Sequence, residues 1–376
     1  SMNSIEDVVS EIGFPGIVQD IAKKFQSGAA SSDDIADLEE LYGELVLNVS
    51  TKEALANYLN KIRPDDSGAD AEAGIDIVNA VSGNISSRGA AIRTGMNTGD
   101  MFVADGFWVQ GIFGKSEQKS NGVDLSYDGK MQGFTLGADR DKNGITVGVA
   151  LSYANADTDF NDREQKESVH TYMGSLYSIW QYDNRYFDGS LSLGTSSHES
   201  KKFSGAAAET AEYDSWQLGA KGTLGYYYPI GNAVLEPMVS TRMTYVNIDS
   251  FMYKQDSDGA STGNSSGAAD FKQLDFGIGA AFSTILAQED RDLYITPRLS
   301  VMYFHDVLKD TLDKEITFAG DDYKLKSTSK ERNSLEIGLS VDIASGDHVT
   351  VNAAYERVHK EDFSSDNYSF KFRYDF

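Results

Sequence analysis

Apolar and polar residues alternate along most of the chain after residue 100. Over residues 146–153 every second position is apolar, and residues 335–343 repeat the same alternation. Further copies begin near Trp216, Leu274 and Leu293. A period of two places successive side chains on opposite faces of a β-strand. The pattern therefore predicts an all-β domain in which each strand has one apolar face.

The opposite faces of these strands carry charge. The charged positions are Lys221, Glu236, Arg242, Asp275, Arg298, Glu336, Asp342 and Glu356. So many charges do not suit the interior of a soluble barrel or sandwich, because each buried charge needs a partner. A transmembrane barrel has the reverse arrangement, with a polar lumen and an apolar outer surface. We therefore predict that these residues face a lumen and that membrane lipid contacts the apolar faces.

The connections between strands alternate in length, which is the second feature of outer-membrane barrels. Short turns are predicted at residues 141–144, 182–184, 229–232, 288–291 and 345–347. Long polar stretches fall at residues 155–167, 196–212, 249–270 and 306–332. These boundaries predict about twelve antiparallel strands, with both ends of the barrel on the short-turn, periplasmic side.

Residues 71–93 predict a helix of a different kind. Ile75, Val78, Ile85 and Ile92 form a thin apolar stripe, and small or polar residues cover the rest, which favours a wet channel over a packed core. A helix of this size is about 35 Å long, comparable with the height of a membrane barrel. We predict that it threads the pore, with polar positions that include Asn79, Ser82, Asn84 and Arg88.

Ahead of this segment, residues 1–63 have apolar residues three and four apart, and Pro64 ends the last predicted helix. We divide the chain into a helical stub over 1–70, a pore-spanning linker over 71–100 and a barrel over 101–376. The stub is too small to bury much core by itself. The first four residues lack the basic and apolar regions of a signal peptide.

Composition narrows the possible chemistry. The chain has 58 acidic and 33 basic residues, a net charge of −25, so nucleic acid is not an expected partner. Cysteine is absent, which excludes thiolate chemistry and disulfides. The five histidines lack metal-ligand spacing, and their expected position is the solvated surface. No metal, no cofactor and no catalytic residue is predicted; Gly277-Ile278-Gly279 lies inside an alternating strand and indicates small luminal residues, not a phosphate loop.

Aromatic residues end the chain. They occupy every second position of the predicted last strand: Tyr368, Phe370, Phe372, Tyr374 and Phe376. Polar residues lie between them. A terminal aromatic residue contributes little to a soluble core, whereas at a membrane surface it can be buried and recognised.

The region from Gly106 to Phe376 resembles the translocator β-domain of autotransporters, the proteins of type V secretion. Residues 107–111 (FWVQG), 133–139 (GFTLGAD) and 235–237 (LEP) resemble an opening, a second and a middle strand of that family, in the same order. The resemblance implies an outer-membrane monomer that exports a passenger to the cell surface and remains joined to it through a helix in the pore. It also implies periplasmic chaperones and a barrel-assembly machinery that recognises the terminal strand with Phe376.

Some members of this family cut the chain inside the pore by cyclisation of an Asn in an Asn-Asn pair. The matching positions here are Gly83 and Asn84, so the nucleophile is missing and that reaction is not expected. A channel or barrel enzyme with a helical plug is the alternative to a translocator. A plain porin needs no pore-length helix before its first strand, and no Ser-His or acid-His constellation supports an enzyme. With this resemblance, we interpret the helical stub over 1–70 as the end of a longer exported passenger, whose identity and activity stay open.

Overall fold

The computed structural model describes residues 67–96, 106–120, 125–204, 207–308, 310–318, 320–326 and 332–376, together with Ser10, Lys23 and Asp65. Most of the predicted helical stub lies outside the described residues. The helix over residues 71–93 is present as α1 (Ala69–Met96).

The strands follow in one continuous series. The first six are β1 (Gly106–Gln118), β2 (Tyr127–Lys142), β3 (Ile145–Phe160), β4 (Gln165–Tyr182), β5 (Arg185–Ser204) and β6 (Ala207–Tyr226). The next six are β7 (Tyr228–Ile230), β8 (Ala233–Ile248), β9 (Phe251–Gln255), β10 (Ser261–Ser266), β11 (Ala269–Thr284) and β12 (Leu286–Gln288). The last six are β13 (Leu293–Asp306), β14 (Asp313–Phe318), β15 (Asp321–Lys326), β16 (Asn333–Ser345), β17 (Val349–His359) and β18 (Phe363–Asp375).

These segments form a closed antiparallel barrel. Short segments continue their neighbours in β6–β7, β8–β9, β10–β12, β13–β14 and β15–β16, so the described segments make twelve barrel strands. Closure is made by β1 and β18, which pair from Gly106 opposite Asp375 to Gln118 opposite Phe363. The predicted twelve-stranded barrel with a luminal helix is confirmed. Among the described residues, no helix has the length and apolar character required to cross a bilayer.

Three of the predicted loops, at residues 155–167, 196–212 and 249–270, are largely strand, so that part of the prediction is wrong. The register of β3 and β4 continues through Asn155 opposite His170, and that of β5 and β6 through Ser197 opposite Asp214. A strand needs an apolar face only where it crosses lipid, whereas its backbone hydrogen bonds can continue beyond the bilayer. The alternation therefore ends before the strand does, and polar sequence was interpreted as a loop.

Large apolar side chains cover the outer surface, while the inner wall is polar or closely packed. Leu151, Ile278 and Leu339 are among many exposed outward residues. Inside, Trp108 lies flat against Gly137, where an added Cβ would be 2.1 Å from the indole ring. Gly277 likewise faces inward against Phe304. Bulky rings fit inside this wall where the neighbouring strand has no side chain.

Replacing Leu339 by Arg should destabilise the barrel by about 2–4 kcal/mol if the position is near the mid-membrane, because this face meets lipid. Ile337→Arg, two residues away on the same face, tests a second depth in the membrane. Val358→Arg is the matched control, since Val358 lines the internal cavity opposite Glu336 and should tolerate the charge. Urea unfolding in lipid vesicles measures the difference. Equal stability of the three variants would contradict the assignment of the lipid-facing side.

Candidate functional site: the barrel lumen

Helix α1 begins at the long-loop end of the barrel. The backbone N–H of Ala69 donates to Ser67 Oγ at 3.1 Å, and Ala69 packs with Leu125, Tyr127 and Phe160, which lie at that end. The chain leaves the helix after Met96 and enters β1 at the short-turn end. The helix thus runs through the lumen from one mouth of the barrel towards the other.

One face of the helix is packed tightly against the barrel wall. Ile77, Val78 and Val81 are buried with Trp108, and the rest of this cluster consists of Ala150, Ala154, Ala156, Val169, Met173, Tyr177 and Ile179. The expectation that a wet, polar channel surrounds the helix is therefore wrong for this face. Small inward residues on β3 leave room for the valine and isoleucine side chains, so a weakly amphipathic helix still finds an apolar contact.

The helix approaches β6 closely at one glycine. A Cβ atom added to Gly219 would lie 2.4 Å from Val78 Cγ1. Any side chain at this position would therefore push the helix away from the wall. The absence of a side chain at Gly219 lets α1 lie close to β6.

The other face of the helix borders a cavity. Asp76, Asn79 and Gly83 line it from the helix, together with Ala69, Glu72, Ala73 and Ala80. The far wall belongs to β1, β2 and β16–β18 and includes Glu356, Val358 and Asn367. The helix consequently occupies one side of the lumen and leaves a polar space on the other side.

Two ion pairs hold the first turn of the helix at the long-loop end. Lys314 Nζ on β14 lies 2.7 Å from Asp70 Oδ2, and Lys360 Nζ, between β17 and β18, lies 3.1 Å from Glu72 Oε1. Burial lowers the pKa of Lys360, but the carboxylates of Glu72 and Asp76 together outweigh burial and raise that pKa above its ordinary value. Carboxylates also suit the first turn of a helix, where the dipole is positive. These pairs join α1 to two separate segments of the barrel.

The charged positions predicted for the lumen lie inside the barrel. Arg242 is the centre of one group: its Nε lies 2.7 Å from Asp275 Oδ2, and its Nη1 lies 2.6 Å from Glu336 Oε1. Its guanidinium also stacks on the Phe304 ring, 3.9 Å from the ring centre. Buried charges are tolerated when they are paired in this way.

The remaining predicted luminal residues form two further groups or lie beside the Arg242 group. Glu236 accepts hydrogen bonds from Arg298 Nη2 at 3.3 Å and from the hydroxyl of Tyr186. Asp342 accepts from Asn352 Nδ2 at 2.9 Å. Lys221 and Glu356 line the cavity next to Arg242 and Glu336.

The predicted pore-helix residues divide into two groups. Asn79 lines the cavity, and Ser82 is buried against the wall. The side chains of Asn84 and Arg88 lie outside the described residues, although both positions belong to α1. Gly83 borders the cavity.

The terminal aromatic residues lie on the outer surface. Tyr368, Phe370, Phe372 and Tyr374 are exposed on β18, with polar Lys371 and Arg373 buried between them. Phe376 is the most exposed of the set, at 80%. Their side of the strand is the lipid side, next to the seam where β18 closes onto β1.

Sequence reasoning missed one buried network at this seam. Arg373 on β18 pairs with Asp139 on β2, with N–O distances of 3.0 and 3.1 Å. Asp139 also accepts from the Tyr177 hydroxyl at 2.7 Å, and Trp108 Nε1 donates to that hydroxyl at 2.9 Å. Nothing in the local sequence indicates this pairing, because its members come from four strands.

A histidine is also placed differently from the expectation. His198 is buried, stacked on Tyr213 with ring centres 4.6 Å apart and hydrogen-bonded to Ser215 Oγ. Its position inside a strand, not a loop, follows from the extension of β5 beyond the bilayer. Within the described parts of the chain, no three acidic or histidine side chains are grouped as a metal site would require.

Fold and lumen together define a class: a twelve-stranded outer-membrane-type β-barrel with a helix held in its pore. A family model described as the autotransporter β-domain matches residues 107–356, more than half of the chain. The chain therefore belongs to the autotransporter β-domain family. Autotransporter β-barrels are outer-membrane proteins, and this chain has their translocator fold.

Solved translocator domains are similar in structure but distant in sequence. The translocator domain of NalP from Neisseria meningitidis has a TM-score of 0.57 and 15% identity, covering 79% of this chain and 98% of its own. The β-domain of the Bordetella autotransporter BrkA has a TM-score of 0.54 and 18% sequence identity, and the match covers 73% of this chain and 100% of that domain. The transport unit of AIDA-I from Escherichia coli has a TM-score of 0.54 and 16% sequence identity, and the match covers 72% of this chain and 90% of that unit. Comparison with curated proteins found no match.

Proposed function

We propose that this chain exports an N-terminal passenger through the outer membrane and then anchors it at the cell surface. A helix that lies in the lumen and precedes the first strand in the chain suits a chain that has been threaded through its own barrel. An open solute channel, the alternative, gains nothing from such a helix. No catalytic role is proposed for the chain itself.

The ion pairs at the long-loop end carry this proposal. Asp70 and Glu72 are bound there to Lys314 and Lys360, while β1 begins at the opposite end with Gly106. Residues that precede the helix would then leave the barrel on the long-loop side. In an outer-membrane barrel the longer loops are extracellular, so this side corresponds to the cell surface.

The direct test places an epitope tag ahead of Ser1 in a secreted version of the chain. Intact cells are then labelled with an antibody that cannot cross the outer membrane. We expect strong labelling, because the tag should lie outside. The control has the same tag in the β4–β5 turn at Asp183 and Asn184, which should be labelled only after the membrane is opened. Labelling of the turn but not of the N-terminus in intact cells would reverse the proposed orientation.

We also propose that the barrel functions as a monomer and that periplasmic chaperones and the barrel-assembly machinery deliver it to the membrane. The outward aromatic row ending at Phe376 supports delivery by the assembly machinery, since β18 is already paired on both sides and does not need these rings for its hydrogen bonds. Recognition by another protein would explain the row.

Deleting Phe376 should slow or block insertion in cells while leaving refolding in detergent nearly intact. Burial of this ring in lipid contributes about 1.5–3 kcal/mol at most, too little to unfold a closed barrel. Heat-modifiable gel mobility separates folded from unfolded barrel in both settings. An equal loss in cells and in detergent would mean that Phe376 is merely structural, and normal insertion without it would remove its role as a signal.

A further inference from the structure

Two lysines lie directly opposite each other on the outer surface of the barrel. Lys115 on β1 and Lys130 on β2 are register partners, and both side chains are exposed. They lie on the same face of these strands as Phe113 and Phe134, which point outward. The side chains of both lysines therefore project from the outer side of the wall, while the same strand segments border the internal cavity. They do so in a protein whose net charge is −25.

Like charges placed directly across an antiparallel pair destabilise it unless something compensates. The nearest carboxylates on the flanking strands are engaged elsewhere. Asp366, the register partner of Lys115 on β18, accepts two hydrogen bonds from Arg357 Nη1, at 2.9 and 3.0 Å, and one from Tyr355 Oη at 2.6 Å.

The carboxylate beside Lys130, on β3, also accepts a hydrogen bond from another residue. Asp157, the register partner of Lys130 on β3, accepts from Ser168 Oγ at 2.7 Å. Glu117 and Asp128 lie two residues further from the membrane centre and oppose each other. Among the described residues, neither lysine forms an ion pair. Carboxylates of Glu117, Asp128, Asp157 and Asp366 lie around the two ammonium groups, but among the described residues none of them forms an ion pair with either lysine.

Height along the barrel places this pair at the membrane surface. Phe107, near the short-turn end, lies eight residues before Lys115 on the same outward face. At about 3.3 Å per residue and a tilt of about 40°, the two positions differ in height by roughly 20 Å, close to the thickness of the apolar band of such barrels. Exposed Tyr368 and Phe113 lie one register step below the lysines, as aromatic residues do at an interface.

We propose that Lys115 and Lys130 bind the phosphate groups of an outer-leaflet lipid, namely a phosphorylated glycolipid. Lysines at the membrane surface extend their ammonium groups toward the headgroups and attract anionic lipid. A doubly charged phosphate bridging the two ammonium groups would remove their repulsion, and the aromatic residues below would contact the lipid chains. The choice of the outer leaflet rests on the proposed function, in which the long loops are outside the cell. The rest of this proposal does not depend on that orientation.

Binding can be measured on the full chain purified in a neutral detergent. Native mass spectrometry would follow titration with bisphosphorylated lipid A and, separately, with phosphatidylcholine, which has no net charge. We expect the lysine pair to retain lipid A and not phosphatidylcholine. The double variant Lys115→Gln, Lys130→Gln should lose about thirtyfold in affinity, and the double Arg variant should keep it.

The matched control removes two other exposed lysines, in Lys201→Gln, Lys324→Gln. These side chains already pair with Asp256 and Glu315, so lipid A affinity should stay at the wild-type level. Equal affinity of the Lys115, Lys130 variant and the wild type would overturn the proposal, as would an equal loss in the control. The measurement needs no export or orientation, so it can fail while surface labelling of the N-terminal tag succeeds, and the reverse.

Discussion

Replacing Asp139 by Ala is expected to destabilise the barrel by about 3–5 kcal/mol, because it leaves the buried guanidinium of Arg373 without its main partner. The Asp139 carboxylate is completely buried and the Arg373 side chain is 4% exposed, so water cannot replace the lost contact. Asp375 still contacts Arg373 in the variant, but the two-point contact with Asp139 and the Tyr177 hydrogen bond are both lost.

The location of the Asp139–Arg373 ion pair at the barrel seam should increase the destabilisation that its loss causes. Asp139 lies on β2 and Arg373 on β18, so the contact spans β1, the strand that closes the barrel. Gly106 on β1 leaves the space, since an added Cβ there would be 2.7 Å from Arg373 Nη2. The ion pair therefore links both sides of the seam from within, and its loss should favour opening at this seam.

Urea unfolding in detergent micelles, followed by heat-modifiable gel mobility, measures the change. Asp128→Ala is the control on the same strand, because Asp128 is exposed and should cost little. The double variant Asp139→Ala, Arg373→Met should recover part of the loss, since it removes the unpaired charge. A cost for Asp139→Ala no larger than that for Asp128→Ala would show that the seam does not depend on this pair.

This network illustrates what the sequence could and could not predict. Alternation identified the lipid-facing and luminal sides, including Arg242 and Glu336, because side-chain direction follows from local strand geometry. The pairing of Asp139 with Arg373 joins residues 234 positions apart and depends on the closing register. No local pattern encodes that register, so the residues were recognisable as luminal at best, and their partnership was not.

The luminal helix shows the same division. Its position and extent were predictable from the change of period and the small polar residues around Asn79. Its attachment was not, because Lys314 and Lys360 come from segments far along the chain, and Gly219 matters only once Val78 is seen against it. The lengths of the strand segments beyond the bilayer were misjudged, because apolar alternation indicates contact with lipid and does not indicate backbone hydrogen bonding.

Removing residues 1–95 should give a folded barrel with severalfold larger single-channel conductance in planar bilayers. The barrel closes through the β1–β18 pairing, to which the helix contributes no hydrogen bonds, so the strands should still form. The helix occupies the side of the lumen next to β3–β6 and β8, and its loss joins that volume to the cavity on the other side. A helix with side chains is about 10 Å wide, a large part of the lumen's cross-section.

Weakening the attachment of the helix should produce the same change transiently. In Asp70→Asn, Glu72→Gln the first turn loses its charge attraction to Lys314 and Lys360, so we expect frequent transitions between a low and a high conductance level. The control, Glu117→Gln, Asp128→Asn, removes two carboxylates from the outer surface and should keep the low level. If the truncated barrel is folded by gel mobility and conducts no better than the full chain, the helix does not limit the pore.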